Sequence, residues 1–147
     1  MEIQGVHGFR SGRYNPGFGN EMTAFMVNPF VKFGGLEFFG TFEIADGKRS
    51  TQVDKRKFTQ LAGELIYRFG NEENFYVGGR YNTVNGDDVS GVEIDINRMQ
   101  LSAGWFLTKN VLTKIEYVNQ KYDGFKTNSP FNGGQFDGLV IEAAISF

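Results

Sequence analysis

Cysteine is absent from this chain, which excludes a disulfide framework, a thiolate metal site and a cysteine nucleophile. Histidine occurs once, as His7; no His-based triad assembles around it, and a metal would lack ligands. No apolar run approaches the ~18 residues that a membrane helix needs. The net charge of −2 leaves no electrostatic argument for nucleic acid as a partner. The start, Met1-Glu-Ile-Gln-Gly, has neither a basic n-region nor an apolar h-region, so no secretory signal peptide is expected there. On that reading a complete reading frame would stay in the cytoplasm, and a membrane protein of this sequence would be a mature chain or a fragment. Glycine-rich phosphate loops are missing too: Gly78-Gly79 and Gly133-Gly134 fall in a strand and a loop with no helix to follow. Little remains for catalysis. Carboxylates such as Glu64 and Glu142 can approach one another, but no substrate cleft is marked. The expectation is a protein that is not an enzyme and holds no cofactor or metal.

What is present points to strands. The 147 residues are enough for one domain, 1–147, and include 16 Phe, 6 Tyr and 20 Gly, a mix that suits strands and turns. Apolar residues make up 40% and mean hydropathy is −0.33. Such values are compatible with membrane strands, because alternation hides their hydrophobicity from averaging. No 3.6-residue apolar period persists, so no helix is expected. The pattern gives about eight strands: roughly Glu2–Arg10, Met22–Phe33, Leu36–Ala45, Phe58–Phe69, Phe75–Thr83, Val92–Leu107, Val111–Gln120 and a terminal strand that ends at Phe147. The connections after the second, fourth and sixth are short; those after the first, third, fifth and seventh are longer and polar. In an up-and-down barrel this puts short turns at one rim and long loops at the other, as in transmembrane barrels. The expected fold is all-β, an antiparallel up-and-down transmembrane β-barrel.

The faces of these strands separate. One carries Phe25, Val27, Val31, Leu36, Phe42, Ile44, Leu61, Leu65, Val77, Tyr81, Met99, Leu101, Ile115, Tyr117, Ile141 and Ile145 and almost no charge. Phe33, Phe38, Tyr67, Phe69, Phe75, Trp105 and Phe147 lie on this face next to short turns or the terminus. Together they predict an aromatic girdle at one rim, which a bilayer interface attracts and a soluble core has no reason to gather. The opposite face balances Glu2, Glu37, Glu43, Glu64, Glu116 and Glu142 against Arg10, Lys32, Arg68, Arg80, Arg98 and Lys114. Equal numbers allow pairing in a narrow, desolvated lumen, so these charges are expected to face inward. Met26, Phe30, Phe39, Phe58, Ile66 and Phe106 share that face and predict a lumen partly filled by side chains.

Several details carry their own expectations. Pro29 sits mid-strand and implies a bulge or an edge. In the sixth strand the apolar phase slips between Val92, Ile94, Ile96 and Met99 onward, which predicts a bulge near Asn97-Arg98. Lys48, Arg49, Lys55, Arg56 and Lys57 put five basic residues into one loop; they attract anions or lipopolysaccharide phosphates, or else form a solvated polar loop. Asp87-Asp88 reads as a turn before it reads as a cation site.

The run Gly104-Trp-Phe-Leu-Thr-Lys-Asn-Val111, leading into Lys114-Ile-Glu-Tyr117 and a Phe-terminated strand, resembles the end of Gram-negative outer-membrane porins. In particular it is similar to the phosphate-selective porin O/P family and its Bacteroidetes relatives. Tyr67-Arg-Phe-Gly70 running into Asn74-Phe-Tyr-Val77 and Gly79-Arg-Tyr81 fits the same style. The resemblance covers most of the chain through short motifs. It implies the bacterial outer membrane, contact with the lipid bilayer and lipopolysaccharide, recognition of Phe147 by the barrel assembly machinery, passage of small solutes, and a homotrimer. Those porins are larger barrels, so this chain reads as the C-terminal part of one or as a small barrel of its own. Three functions stay open: a porin passing small solutes passively, anions among them; a closed eight-stranded outer-membrane barrel acting as anchor or adhesin; and a soluble lipocalin-like barrel that binds an apolar ligand.

Overall fold

A computed structural model describes residues 14–129 and 131–146. The predicted first strand, with Glu2, His7 and Arg10, lies outside the described residues, as does Phe147. The rest alternates strand and turn: β1 Glu21–Val27, β2 Phe30–Phe33, β3 Leu36–Lys48, β4 Arg56–Phe69, β5 Phe75–Asp87, β6 Glu93–Thr108, β7 Val111–Asp123 and β8 Gln135–Ile145. One turn of 3-10 helix, Asn71–Glu73, separates β4 from β5, and there is no α-helix among the described residues. All strands join one antiparallel sheet in the order β1-β3-β4-β5-β6-β7-β8, with β2 also on β3. The all-β, up-and-down, antiparallel part of the expectation therefore stands. Among the described residues the sheet is open, with β1 and β2 at one edge and β8 at the other.

Proline explains why the expected strand Met22–Phe33 appears as two. The register of β1 continues into β2 without a shift: Val27 faces Phe42 and Phe30 faces Phe39. Between them the Pro29 carbonyl accepts a hydrogen bond from Gly40 N at 2.9 Å, but Pro29 has no N–H to return it. The ladder loses one bond and keeps its alignment. Of the two expected outcomes, the edge is found and the bulge is not. Gly40 makes room for the ring: a β-carbon there would stand 2.9 Å from Pro29 Cγ.

The bulge expected near Asn97-Arg98 is also absent. Strand β6 pairs β5 without interruption from Glu93 to Trp105, and its only irregularity against β7 falls between Phe106 and Thr108. Ile94 and Ile96 instead lie on the same face as Arg98 and Gln100, buried at 1% and 5% exposure. The period never slips; the chemistry of the face changes.

Most strands run further than expected at the long-connection end. Strand β3 reaches Lys48, β4 starts at Arg56, β5 reaches Asp87 and β7 reaches Asp123. These extensions are polar on the outer face, so alternation alone stopped short of them. They also shorten the loops, and the β5–β6 connection, 88–92, is no longer than the β4–β5 connection, 70–74. The two-residue turn Gly34-Gly35 needs glycine twice. Gly34 has φ 55, a conformation glycine adopts freely, and Gly35 lies against the Arg68 carbonyl too closely for any side chain.

Candidate functional site: two faces of one sheet

Burial distinguishes the faces. In the middle of the sheet, one face buries Ala62, Asn82, Arg98, Val118 and Gln120, with Asn82 and Gln120 only 5% and 4% exposed. The other exposes Leu61, Leu65, Val77, Leu101, Ile115 and Ile141, the last at 77%. We call them inner and outer. The exposed outer face is apolar, whereas the buried inner face mixes polar and charged side chains with apolar ones such as Ile94 and Val118; a broad apolar face left exposed is unusual for a soluble protein.

The inner charges are organised in pairs. Glu37 accepts hydrogen bonds from Lys32 Nζ and Arg68 Nε, each at 3.0 Å. Lys32 also lies 3.5 Å from Glu73 in the turn. Arg80 meets Glu64 at 3.3 Å, and Lys114 meets Glu142 at 3.0 Å and Glu116 at 3.5 Å. Gln100 donates to Glu116 at 2.6 Å, and Arg98 donates to Gln120 at 2.9 Å. Glu43 faces Met26 and Gln60 across its neighbouring strands. Cross-strand register produces these contacts: Lys32 with Glu37, Glu64 with Arg80, and Lys114 with Glu142 are direct partners. The Arg68 guanidinium also lies against the Tyr76 and Phe106 rings, at 5.7 and 5.6 Å, a favourable cation–π setting.

Outside, four of the predicted girdle residues form one stack. Tyr67 and Phe69 are 6.0 Å apart, Phe69 and Phe75 5.9 Å, and Phe75 and Trp105 5.3 Å, all within 20° of parallel. Phe33 and Phe38 lie on the same face, exposed, in β2 and β3. The apolar surface is a slanted band. Its boundary toward the long connections falls at Leu139 on β8, Tyr117 on β7, Met99 on β6, Tyr81 on β5, Leu61 on β4, Ile44 on β3 and Phe25 on β1. The next outer residues are all polar: Asp137, Asn119, Asn97, Thr83, Thr59, Asp46 and Thr23. Followed through the register, the boundary moves three pairs of residues across six strand steps, or one residue per strand. With about 3.3 Å per residue and about 4.8 Å between strands, the band slants by about 35° to the hydrogen-bond direction.

Two sets of aromatics have a grouping that face assignment alone did not show. Tyr81 and Tyr117 mark the far boundary of the band, and Tyr81 Oη donates to Asn97 Oδ1 at 2.6 Å, ring on the apolar side and hydroxyl on the polar side. A second cluster sits on the inner face at the long-connection end. Phe58, Val84, Ile94, Ile96 and Tyr122 form it, and Tyr14, Phe18, Phe125 and Phe131 pack on it. Its visible signals in the sequence were Phe58, placed on the inward face, and the even positions Ile94 and Ile96. Burial pushes the Tyr14 hydroxyl pKa above the ordinary tyrosine value.

The five basic residues do not share a loop, since Lys48 ends β3 and Arg56 and Lys57 begin β4, and most of them are committed to the protein itself. Lys48 and Lys55 both reach Glu21, at 3.6 and 2.5 Å. Arg49 donates to the Pro16 carbonyl at 3.4 Å. Arg56 is buried and donates to the Pro16 carbonyl at 2.8 Å, the Asp87 carbonyl at 3.1 Å and Gln52 Oε1 at 3.2 Å. Lys57 is exposed opposite Asp46. Asp88 closes its own turn, accepting from the backbone N–H of Ser90 at 2.6 Å and of Val92 at 3.2 Å. No protein-family model, curated protein or solved structure matches this chain.

Proposed function

We propose that this chain forms the wall of an outer-membrane β-barrel of porin type, with the outer face in lipid and the inner face lining a path for small solutes. The slanted band carries this reading. Its slope of about 35° equals the strand tilt of transmembrane barrels, whose apolar belt lies level only when the strands lean. Along β6 the band runs from Met99 to Leu107, roughly 26 Å at about 3.3 Å per residue and roughly 22 Å once tilted, close to the ~25 Å belt of such barrels. Aromatic residues border it on both sides, as at two membrane interfaces.

Strand direction sets what closure would require. Strands β1, β2, β4, β6 and β8 all run toward the short turns. The two edges would therefore meet in parallel, and an antiparallel ring needs an odd number of further strands between them. The predicted strand Glu2–Arg10 supplies one; further strands of a larger porin would do the same. Inner apolar residues beside the edges, Met26, Phe30, Phe136 and Val140, are exposed and would gain cover. Resemblance to the phosphate-selective porin O/P family, contact with lipopolysaccharide and recognition by the barrel assembly machinery belong to the same proposal. Anion selectivity does not gain support, because Lys32, Arg68, Arg80 and Lys114 each face a glutamate. A second reading, the closed barrel serving as anchor, is favoured by the inner aromatic cluster.

Detergent extraction tests the proposal. The protein should stay in the membrane after alkaline carbonate washing and migrate differently on a gel before and after boiling. Full solubility without detergent would overturn it. Planar-bilayer conductance then separates the porin from the closed barrel.

A further inference from the structure

We propose that Tyr14, Phe18, Phe125 and Phe131 form a plug across the inner face at the long-connection end, latched by Arg56, and that releasing it opens the path for solutes. The inference rests on the transmembrane-barrel reading and adds a gate to it.

Continuity of the cluster is the first argument. Phe18 and Tyr14 lie 5.8 and 5.3 Å from Phe58 on β4, and Tyr14 lies 6.4 Å from Phe125. Phe125 and Phe131 are 5.4 Å apart and both meet Tyr122 on β7, at 6.0 and 5.2 Å. Ring contacts thus bridge the inner face from β4 to β7. The chain is shaped to receive them: a β-carbon on Gly47 would stand 2.6 Å from Phe18 Cγ. At the opposite end the inner face opens into a cavity of about 570 Å³ lined by Lys32, Glu37, Arg68, Glu73, Asn74 and Phe106. A path along this face would be open at the short turns and stopped at the long connections.

Arg56 supplies the reason that the plug can let go. Its three acceptors among the described residues, two backbone carbonyls and an amide oxygen, are uncharged. It also lies over the faces of Phe18 and Phe58, at 5.2 and 5.7 Å. The carboxylates of Asp87 and Asp88 act on it only through space, and a buried cation so held gives up hydration without a carboxylate in contact among the described residues. Release returns it to water and offsets part of the loss of ring packing, which keeps the closed and open states near in free energy. Asp87 and Pro16, whose carbonyls accept from Arg56, belong to two different segments, so one side chain ties both.

Single-channel recording of the full chain in planar bilayers tests this, with membrane entry checked by boiling-dependent gel migration. The chain has no native cysteine, so Tyr14→Cys with Phe125→Cys can be bridged by a short bis-maleimide. Wild type should be mostly closed with brief openings, and the bridged variant should lose them. Arg56→Gln should raise the open fraction several-fold. Because Arg56 is buried, Gly47→Ala, which displaces Phe18, gives an independent route to the same rise. Equal, steady conductance in wild type, bridged and released forms would overturn the plug while leaving the barrel. Silence of every variant despite membrane entry would overturn it in favour of the closed barrel. Failure to enter the membrane would overturn both.

Discussion

Tyr76 lies over Gly104, its register partner on β6, so closely that a β-carbon at Gly104 would overlap the ring. The position of this ring in turn flanks the Arg68 guanidinium. Gly104→Ala should therefore lower stability by about 1–3 kcal/mol, the usual cost of overpacking. Combining it with Tyr76→Ala should recover part of the loss through coupling of the two sites. Urea unfolding in detergent micelles measures both, and independent, additive effects would contradict the packing described.

The two faces make opposite demands on the same substitution. Ile141→Arg and Ile145→Arg put a charge on the outer band, where a bilayer charges about 2–4 kcal/mol near its midplane and less toward its interfaces. Assembly into vesicles should fail or slow markedly for both. Val140→Arg, on the inner face beside Glu116, should assemble nearly as well as wild type. In a soluble sheet the outer changes would be harmless, since Ile141 and Ile145 are already exposed. The ranking of folding yields in lipid decides between the two.

Asp88 makes one turn sensitive to acid. Burial raises its pKa, but hydrogen bonds from the Ser90 hydroxyl and from the N–H groups of Ser90 and Val92 outweigh this, and the carboxyl ends below the ordinary aspartate value. A depressed carboxylate stabilises the folded turn above the unfolded value of about 3.9, and the contribution disappears as pH falls through the lower folded value. Amide protection at Ser90 and Val92 should hold at neutral pH and decline in strong acid. Asp88→Asn should weaken it at neutral pH and remove the acid dependence.

Much of the sheet is legible in the residue pattern because each outer position alternates with an inner one and the register then pairs complementary charges. Lys32 with Glu37 and Glu64 with Arg80 are cases where composition predicted pairing and cross-strand geometry provides it. Alternation also misled. Ile94 and Ile96 look like a slip of phase because a period cannot tell an outer apolar residue from an inner one. The plug is almost invisible in sequence: Tyr14, Phe18, Phe125 and Phe131 lie in irregular segments, and only folding brings Tyr14 to Phe125. Arg56 appeared as one basic residue among five in a loop; its burial depends on carbonyls of two distant segments.

Trp105 is the only tryptophan, and it lies half-exposed at the end of the outer aromatic stack. Its fluorescence tests the central claim, that the apolar outer face lies in lipid. In vesicles containing brominated phospholipids, the inside-out barrel predicts strong quenching of Trp105, greater for bromines near the headgroups than for bromines deep in the chains, and little quenching by aqueous iodide. Efficient quenching by iodide with none by brominated lipid would contradict it.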